Sequence, residues 1–152
     1  MCVDCKVEGI TTSRPIVGGG PRTPLCRTHV RARRKKASAA RHEAHVARTF
    51  SLPTGMYQKL YEAQGGLCAI CGLTTGASGK SKRMPVDHDH KCCPGPTSCG
   101  KCIRGLVCGK CNEILGYYRD DPECFLRGAA YLEWPPAWKI LGRPEEQVSR
   151  TQ

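Results

Sequence analysis

Two Cys-x-x-Cys pairs, Cys68/Cys71 and Cys108/Cys111, enclose the run Asp87-His88-Asp89-His90, and Asn112 directly follows the last cysteine. Thiolates at that spacing match a tetrahedral zinc site, and a segment closed by such a site folds around its ion. The constraint matters because the core is meagre: the 152 residues include two Phe and two Trp against 17 Gly and 11 Pro. Small cores depend on staples, and twelve cysteines can supply them. No apolar run approaches the roughly 20 residues that span a bilayer, and no apolar h-region follows Met1. The expected setting is therefore cytoplasmic, with no membrane partner and with cysteines used for metal. A disulfide framework is the lesser alternative.

A second set of ligand spacings lies at the N-terminus. Cys2-x-x-Cys5 is followed by Cys26-x-x-His29, with a Gly- and Pro-rich stretch from Pro15 to Pro24 that suits a hairpin tip. Residues 1–30 are expected to form a zinc-ribbon module, or a treble-clef-like finger, holding zinc through Cys2, Cys5, Cys26 and His29. From Arg31 to Phe50 the chain turns to Ala, Arg, Lys and His, which predicts a polar helix within a basic linker over 31–55. His42 and His45 share one face of it and read as solvent-exposed. The formal charge of +11 is concentrated here: Arg27, Arg31, Arg33, Arg34, Lys35, Lys36, Arg41 and Arg48 accompany a single acid, Glu43. Such a block attracts a polyphosphate chain without reading its sequence, so nucleic acid is the favoured partner over a solvated linker.

In the second half, Met56, Leu60 and Ala63 predict a helix with one apolar stripe, flanked by Tyr57 and Tyr61 and ended by Gly65-Gly66. Residues 74–82 read as a polar loop. Met84 to His90 alternates as a short strand would, placing Asp87 and Asp89 on one face and His88 and His90 on the other unless a bulge relaxes the pattern. Arg104 to Val107 is the returning strand, and Asn112 begins a helix. Asp120-Asp121-Pro122 starts another, with Phe125, Leu126, Ala129, Ala130 and Leu132 as its buried face and Trp134-Pro135-Pro136 as its end. Cys124 within it reads as a small buried hydrophobe. The tail from Gly142 is expected to fray.

The stretches Tyr61-Glu62-Ala63-Gln64-Gly65-Gly66-Leu67-Cys68-Ala69-Ile70-Cys71-Gly72, Val86-Asp87-His88-Asp89-His90 and Arg104-Gly105-Leu106-Val107-Cys108-Gly109-Lys110-Cys111-Asn112 together resemble the recombination endonuclease VII family, a phage-associated branch of the HNH or ββα-metal nucleases. The resemblance covers residues 56–133 and implies a small, zinc-stapled α+β protein. Its nuclease module, treble-clef-like, would follow a zinc ribbon and a basic helix and precede a tail over 134–152. It further implies structural Zn2+ on Cys68, Cys71, Cys108 and Cys111, giving at least two zinc sites in all. A catalytic pair falls on Asp87 and His88, with Asn112 and Asp87 holding Mg2+ or a similar divalent ion, and His90 as a further active-site histidine. Glu113 is only near a family acidic position. The implied activity is hydrolysis of phosphodiester bonds in DNA, duplex or branched as in a Holliday junction, by a phage-encoded protein in the bacterial cytosol, with a homodimer as the family precedent.

The residue chemistry agrees. Neutral imidazole can take a proton from water at physiological pH, and carboxylate and amide oxygens suit a hard ion whereas Asn suits zinc poorly. One departure from the family pattern stands out. The turn between His90 and Arg104 is enlarged to a Cys-rich insert over 91–103, where Cys92, Cys93, Cys99 and Cys102 could hold zinc or bridge the loop tip. Two readings compete with the nuclease: a non-catalytic zinc-finger nucleic-acid-binding protein, and a multi-zinc scaffold for protein partners. A pure binder has no need of the Asp87, His88 and Asn112 set.

Overall fold

The computed structural model describes residues 1–11, 13–74 and 83–142. The expected polar loop lies outside them from residue 75, as does the tail beyond Gly142. The chain begins with α1 (Val3–Val7), for which Cys2 is the N-cap residue. Then β1 (Ile16–Gly18) pairs with β2 (Leu25–Cys26) in an irregular antiparallel hairpin. Gly19 turns the hairpin at φ +81°, where a Cβ would collide with the Thr23 carbonyl.

β2 runs directly into α2 (Arg27–Phe50), so Cys26 sits at the end of the strand and His29 in the first helical turn. Only His29 and Val46 are buried among its 24 residues. The helix is therefore tied at its two ends and bare between them. At one end a small cluster joins Cys2, Cys5, Leu25 and Cys26 with Val3, Ile10 and Val30. At the other, Val46 enters the main core with Leu52, Tyr57, Met84, Val86, Leu106 and Val107. Ser51 takes a left-handed conformation, φ 52°, and stops the helix.

α3 (Met56–Ala63) follows: Met56 and Leu60 of the expected stripe pack half-buried against the core, Ala63 is exposed, and the flanking Tyr57 is the residue fully buried. Its ring fills the core while its hydroxyl donates to the Met84 carbonyl at 3.0 Å. Gln64 then braces the second hairpin, β3 (Val86–His88) against β4 (Ile103–Leu106). Its side-chain oxygen accepts from Leu106 N–H at 2.8 Å, and its amide donates to the Leu106 carbonyl at 2.7 Å. One side chain thus behaves as a missing strand along the edge of β4, beside a fully buried Leu106.

α4 (Gly109–Tyr117) starts at Cys108, whose sulfur accepts from Cys111 N–H, and α5 (Pro122–Glu133) starts at Asp121, whose carboxylate accepts from Glu123 N–H. The expected buried face of α5 is not buried. None of its residues is, and Leu126 and Leu132 are 62 % and 76 % exposed. Its apolar side, with Phe125, Ala129 and Leu132, borders an open groove shared with Ile70 and Ile114, because the described chain holds no further layer to cover it. Cys124 is only half-buried there, donating to Asp121. A short α6 (Trp138–Leu141) stands where only tail was expected.

Gln64→Ala would leave the N–H of the buried Leu106 without its partner. The expected loss is about 1–3 kcal/mol of stability in denaturant unfolding of the zinc-loaded protein, with zinc content unchanged.

Candidate active site and metal clusters

The register of the second hairpin shifts between Asp87 and His88: Asp87 faces Gly105, whereas His88 faces Ile103. Such a bulge breaks strict alternation, so consecutive side chains can address one side. Asp87, His88 and His90 accordingly line one cleft of about 350 Å3 together with Asn112 from α4, while Asp89 does not. The expected two-faced strand is corrected on this point. The other wall comes from α2, through His42, His45, Val46 and Phe50. Both histidines read from sequence as surface residues; His42 is half-buried and edge-on to Tyr57, and burial, then the Arg83 charge, holds its pKa below the ordinary value.

Asp87 and His88 are buried, at 4 % and 5 % exposure. Arg104, from β4, forks across both Asp87 oxygens at 2.7 and 2.9 Å and also donates to Asp120 at 2.9 Å. Asp120 in turn accepts from His90 Nδ1–H at 2.8 Å. Burial raises the Asp120 pKa, but the Arg104 and His90 hydrogen bonds outweigh it and leave the carboxyl below its ordinary value. Asp120 escaped the sequence-based reading because Asp120-Asp121-Pro122 signals a helix cap. Asp121 does the capping, and Asp120, at φ 57°, turns back to the site. Arg104 read only as part of a strand.

His88 Nε2 lies 3.2 Å from the carbonyls of both Cys93 and Gly95 in the insert. Carbonyls only accept, so Nε2 carries the proton and Nδ1 is the basic nitrogen. Asn112 is exposed on the cleft, and each Asp87 oxygen retains a lone pair beyond the one Arg104 uses. Carboxylate and amide oxygens of this kind fit a hard divalent ion. Glu113 is exposed and does not line the cleft.

All twelve cysteines are free thiols. Three groups bring four ligand atoms within 4.8 Å of one another: Cys2, Cys5, Cys26 and His29; Cys68, Cys71, Cys108 and Cys111; and Cys92, Cys93, Cys99 and Cys102. A tetrahedron with Zn–S bonds of about 2.3 Å has sulfurs about 3.8 Å apart, whereas a disulfide needs about 2.05 Å. The Sγ–Sγ separations are 3.7 Å for Cys5–Cys26, 3.8 Å for Cys71–Cys108 and 3.8 Å for Cys92–Cys99. All three clusters fit zinc. In the first, His29 turns Nδ1 toward the sulfurs and donates Nε2–H to Glu8 at 2.9 Å, a partner the spacing could not reveal. Burial and the neighbouring sulfurs push Cys5 up to about 11. Burial also acts on Cys2, but the Cys26 and Cys5 N–H groups outweigh it and bring that thiol to about 6. Three thiolates this close, with a neutral imidazole beside them, suit a bound cation.

Residues 42–134 match the family described as Recombination endonuclease VII. The chain belongs to that family. Membership makes it a nuclease acting on DNA. The endonuclease VII match begins inside α2, at the histidines that wall the cleft, and ends with α5. Over nearly its whole length the chain is also similar to the "Gene 59 protein" of Mycobacterium phage L5, 39 % identical over 156 residues, covering 99 % of this chain and 87 % of that protein. The "Gene 59 protein" of Mycobacterium phage D29 is 38 % identical over 142 residues, covering 93 % and 78 %. Among the described residues no helix is long and apolar enough to cross a membrane.

Glu8→Ala removes the acceptor that orients His29 but no ligand. Zinc affinity of the N-terminal cluster should fall about 10- to 100-fold in competition with a chromophoric chelator, while the Cys68 cluster keeps its affinity.

Proposed function

We propose that this protein is a metal-dependent DNA endonuclease of the HNH, ββα-metal type, with β3, β4 and α4 as its catalytic unit. The observation that carries the reading is the convergence of Asp87, His88, His90 and Asn112 on one cleft at the end of a basic helix. His88 is the general base. With Nε2–H held by two carbonyls, Nδ1 accepts the proton of an attacking water. Asp87 and Asn112 are the oxygen ligands of Mg2+ or a similar ion, which when bound would neutralise charge on the scissile phosphate and the leaving oxygen. Arg104 donates to both Asp87 oxygens and fixes the direction of the carboxylate. Asp120 aligns His90 through Nδ1 within the cleft that would receive the phosphate.

The zinc ions are structural. Residues 1–30 form a zinc-ribbon or treble-clef-like module, 31–55 the basic helical linker, and 56–133 the nuclease domain. All eight basic residues of α2 are exposed, so the helix can follow a phosphate backbone toward the cleft it walls. Branched, Holliday-junction-like DNA is the favoured substrate by family precedent, and the host cytosol is the favoured setting. A homodimer through the bare apolar side of α5 would cover that surface.

Purified protein should nick supercoiled plasmid with Mg2+ and stop with EDTA; no cleavage under either condition would favour the non-catalytic DNA-binding reading. A four-way junction cut faster than a linear duplex of the same sequence would support the branched substrate. His88→Ala should lower the single-turnover rate by roughly 10²–10⁴ while DNA affinity and zinc content hold. Asn112→Ala should raise the Mg2+ needed for half-maximal rate.

α2 yields a separate expectation. Replacing the exposed Arg31, Arg34, Lys35 and Lys36 by Gln should flatten the dependence of log affinity on log salt by about 0.9 for each duplex phosphate the helix no longer neutralises. Cutting preference should not change, because charges of this kind position the protein on the backbone and read no bases. An unaltered slope would make this stretch a solvated linker.

A further inference from the structure

The insert between β3 and β4 stands apart from the two zinc clusters that the spacing of the sequence already suggests. We propose that Cys92, Cys93, Cys99 and Cys102 hold a third zinc ion, and that the loop closed by this ion sets the tautomer and direction of His88.

Adjacent cysteines make awkward partners on an extended chain, but here the chain is not extended. Cys92 and Cys93 both donate their N–H groups to the Asp89 carbonyl, at 3.1 and 3.0 Å, so the turn folds the two sulfurs toward a common point 3.9 Å apart. Cys99 lies 3.8 Å from Cys92, and Cys102 lies 3.9 Å from Cys99. These are the edges of a thiolate tetrahedron around zinc. Hydrogen bonds reach the sulfurs as well, from Cys99 N–H to Cys93 Sγ at 3.4 Å and between Ser98 Oγ and Cys102 Sγ at 3.3 Å. The cluster is arranged for a cation.

The link to His88 is a matter of chain connectivity. Its two carbonyl acceptors belong to Cys93, a proposed ligand, and to Gly95, two residues on. The segment Cys93-Pro94-Gly95-Pro96 buries no side chain and holds no apolar anchor. Beyond the Cys93 N–H bond to Asp89 at its start, what fixes it lies on the far side. Ser98 is buried, donates its N–H to the Thr49 carbonyl at 2.9 Å and accepts from Ser51 Oγ at 2.9 Å, and Asp89 N–H donates to the Cys102 carbonyl at 2.9 Å. Zinc would join the Cys92-Cys93 side of the loop to this anchored Cys99-Cys102 side. The two carbonyls then stand still, and only the Nε2–H form of His88 satisfies them. The last link, from His88 to cleavage, rests on the proposed role of that residue as base.

Zinc counting and histidine spectroscopy test the proposal without recourse to activity. The full chain should carry three zinc ions by native mass spectrometry, and Cys99→Ser/Cys102→Ser should carry two, the retained pair showing that the variant has folded. In long-range 1H–15N spectra His88 should be a single Nε2–H tautomer in the parent and a mixture in the variant. A stepwise chelator titration of the parent gives the same information without mutation. The insert thiols are the most exposed of the three clusters, so the first ion released should be the one whose loss shifts the His88 signals. Two zinc ions in the parent, or His88 signals unmoved by loss of the insert ion, would overturn the proposal. The variant should also cleave about 10- to 100-fold more slowly in single turnover with unchanged DNA affinity. A shifted tautomer with an unchanged rate would support the loop's role and count against His88 as the base.

Discussion

Tetrahedral gathering of sulfur and imidazole is the constraint on which the structure depends. The main core contains few large side chains, and three of its buried members, Cys68, Cys108 and Cys111, are themselves cluster residues. The ligands sit where elements meet: Cys26 and His29 at the junction of β2 with α2, Cys108 and Cys111 at the junction of β4 with α4. A cation at such a junction fixes the angle between strand and helix that a small apolar core could not fix. In both halves the order is the same: a Cys-x-x-Cys turn, an antiparallel hairpin, and a helix with a ligand pair at its start. The two differ in the hairpin, and the chemistry follows the difference. The first has short strands around a glycine turn. Both are irregular in register, but only in the second does the bulge send chemically active side chains, Asp87 and His88, into one cleft.

That bulge would be of little use without polar partners, since a buried carboxylate is costly unless paired. Arg104 supplies the pairing from the opposite strand, and through Asp120 it extends the network to His90. Asp87 from β3 and Asp120 from the α4–α5 connection thus share one guanidinium, and His90 from the turn joins them through Asp120. The planar fork of Arg104 suits this task, because two oxygens of Asp87 and one of Asp120 can be satisfied in fixed directions at once. The cost of leaving any one of them unpaired in the interior makes the arrangement cooperative.

Much of this was legible in the sequence, and the physical reason is that ligand spacing is local. Cys-x-x-Cys needs one turn of chain to present two sulfurs, so the pairs at 2/5, 68/71 and 108/111 could be read directly, and Gly65-Gly66 likewise marked the end of α3. The fold class, a small α+β protein, was implied by the family resemblance, and its Cys/His clusters fit zinc. What escaped depended on packing between distant segments. Tyr57, expected only to flank the stripe, is buried deeper than Met56 or Leu60 because its hydroxyl finds Met84. Asp120 looked like a cap because Asp121 stands next to it. His42 looked like a surface residue because nothing in α2 announces that the bulged hairpin packs against its end; His45 is exposed as expected, yet it too lines the cleft. Periodicity also assigned Phe125 and Leu132 to a core that the described chain does not provide for them.

The long helix makes the two ends of the molecule one device. Its N-terminal turn supplies His29 to the first cluster, its middle exposes Arg31, Arg34, Lys35 and Lys36, and its last turns wall the cleft. A rigid rod of about 1.5 Å rise per residue keeps these charges in register with the site. The Cys-rich insert docks on the same helix end, where Thr49 and Ser51 grip Ser98. The orientation of His88 is therefore referred, through Cys93 and Gly95, to the helix that carries the charge. Anything that loosens the α2 end, such as loss of Val46 from the core, would disturb the positive track and the histidine together, although neither touches the other.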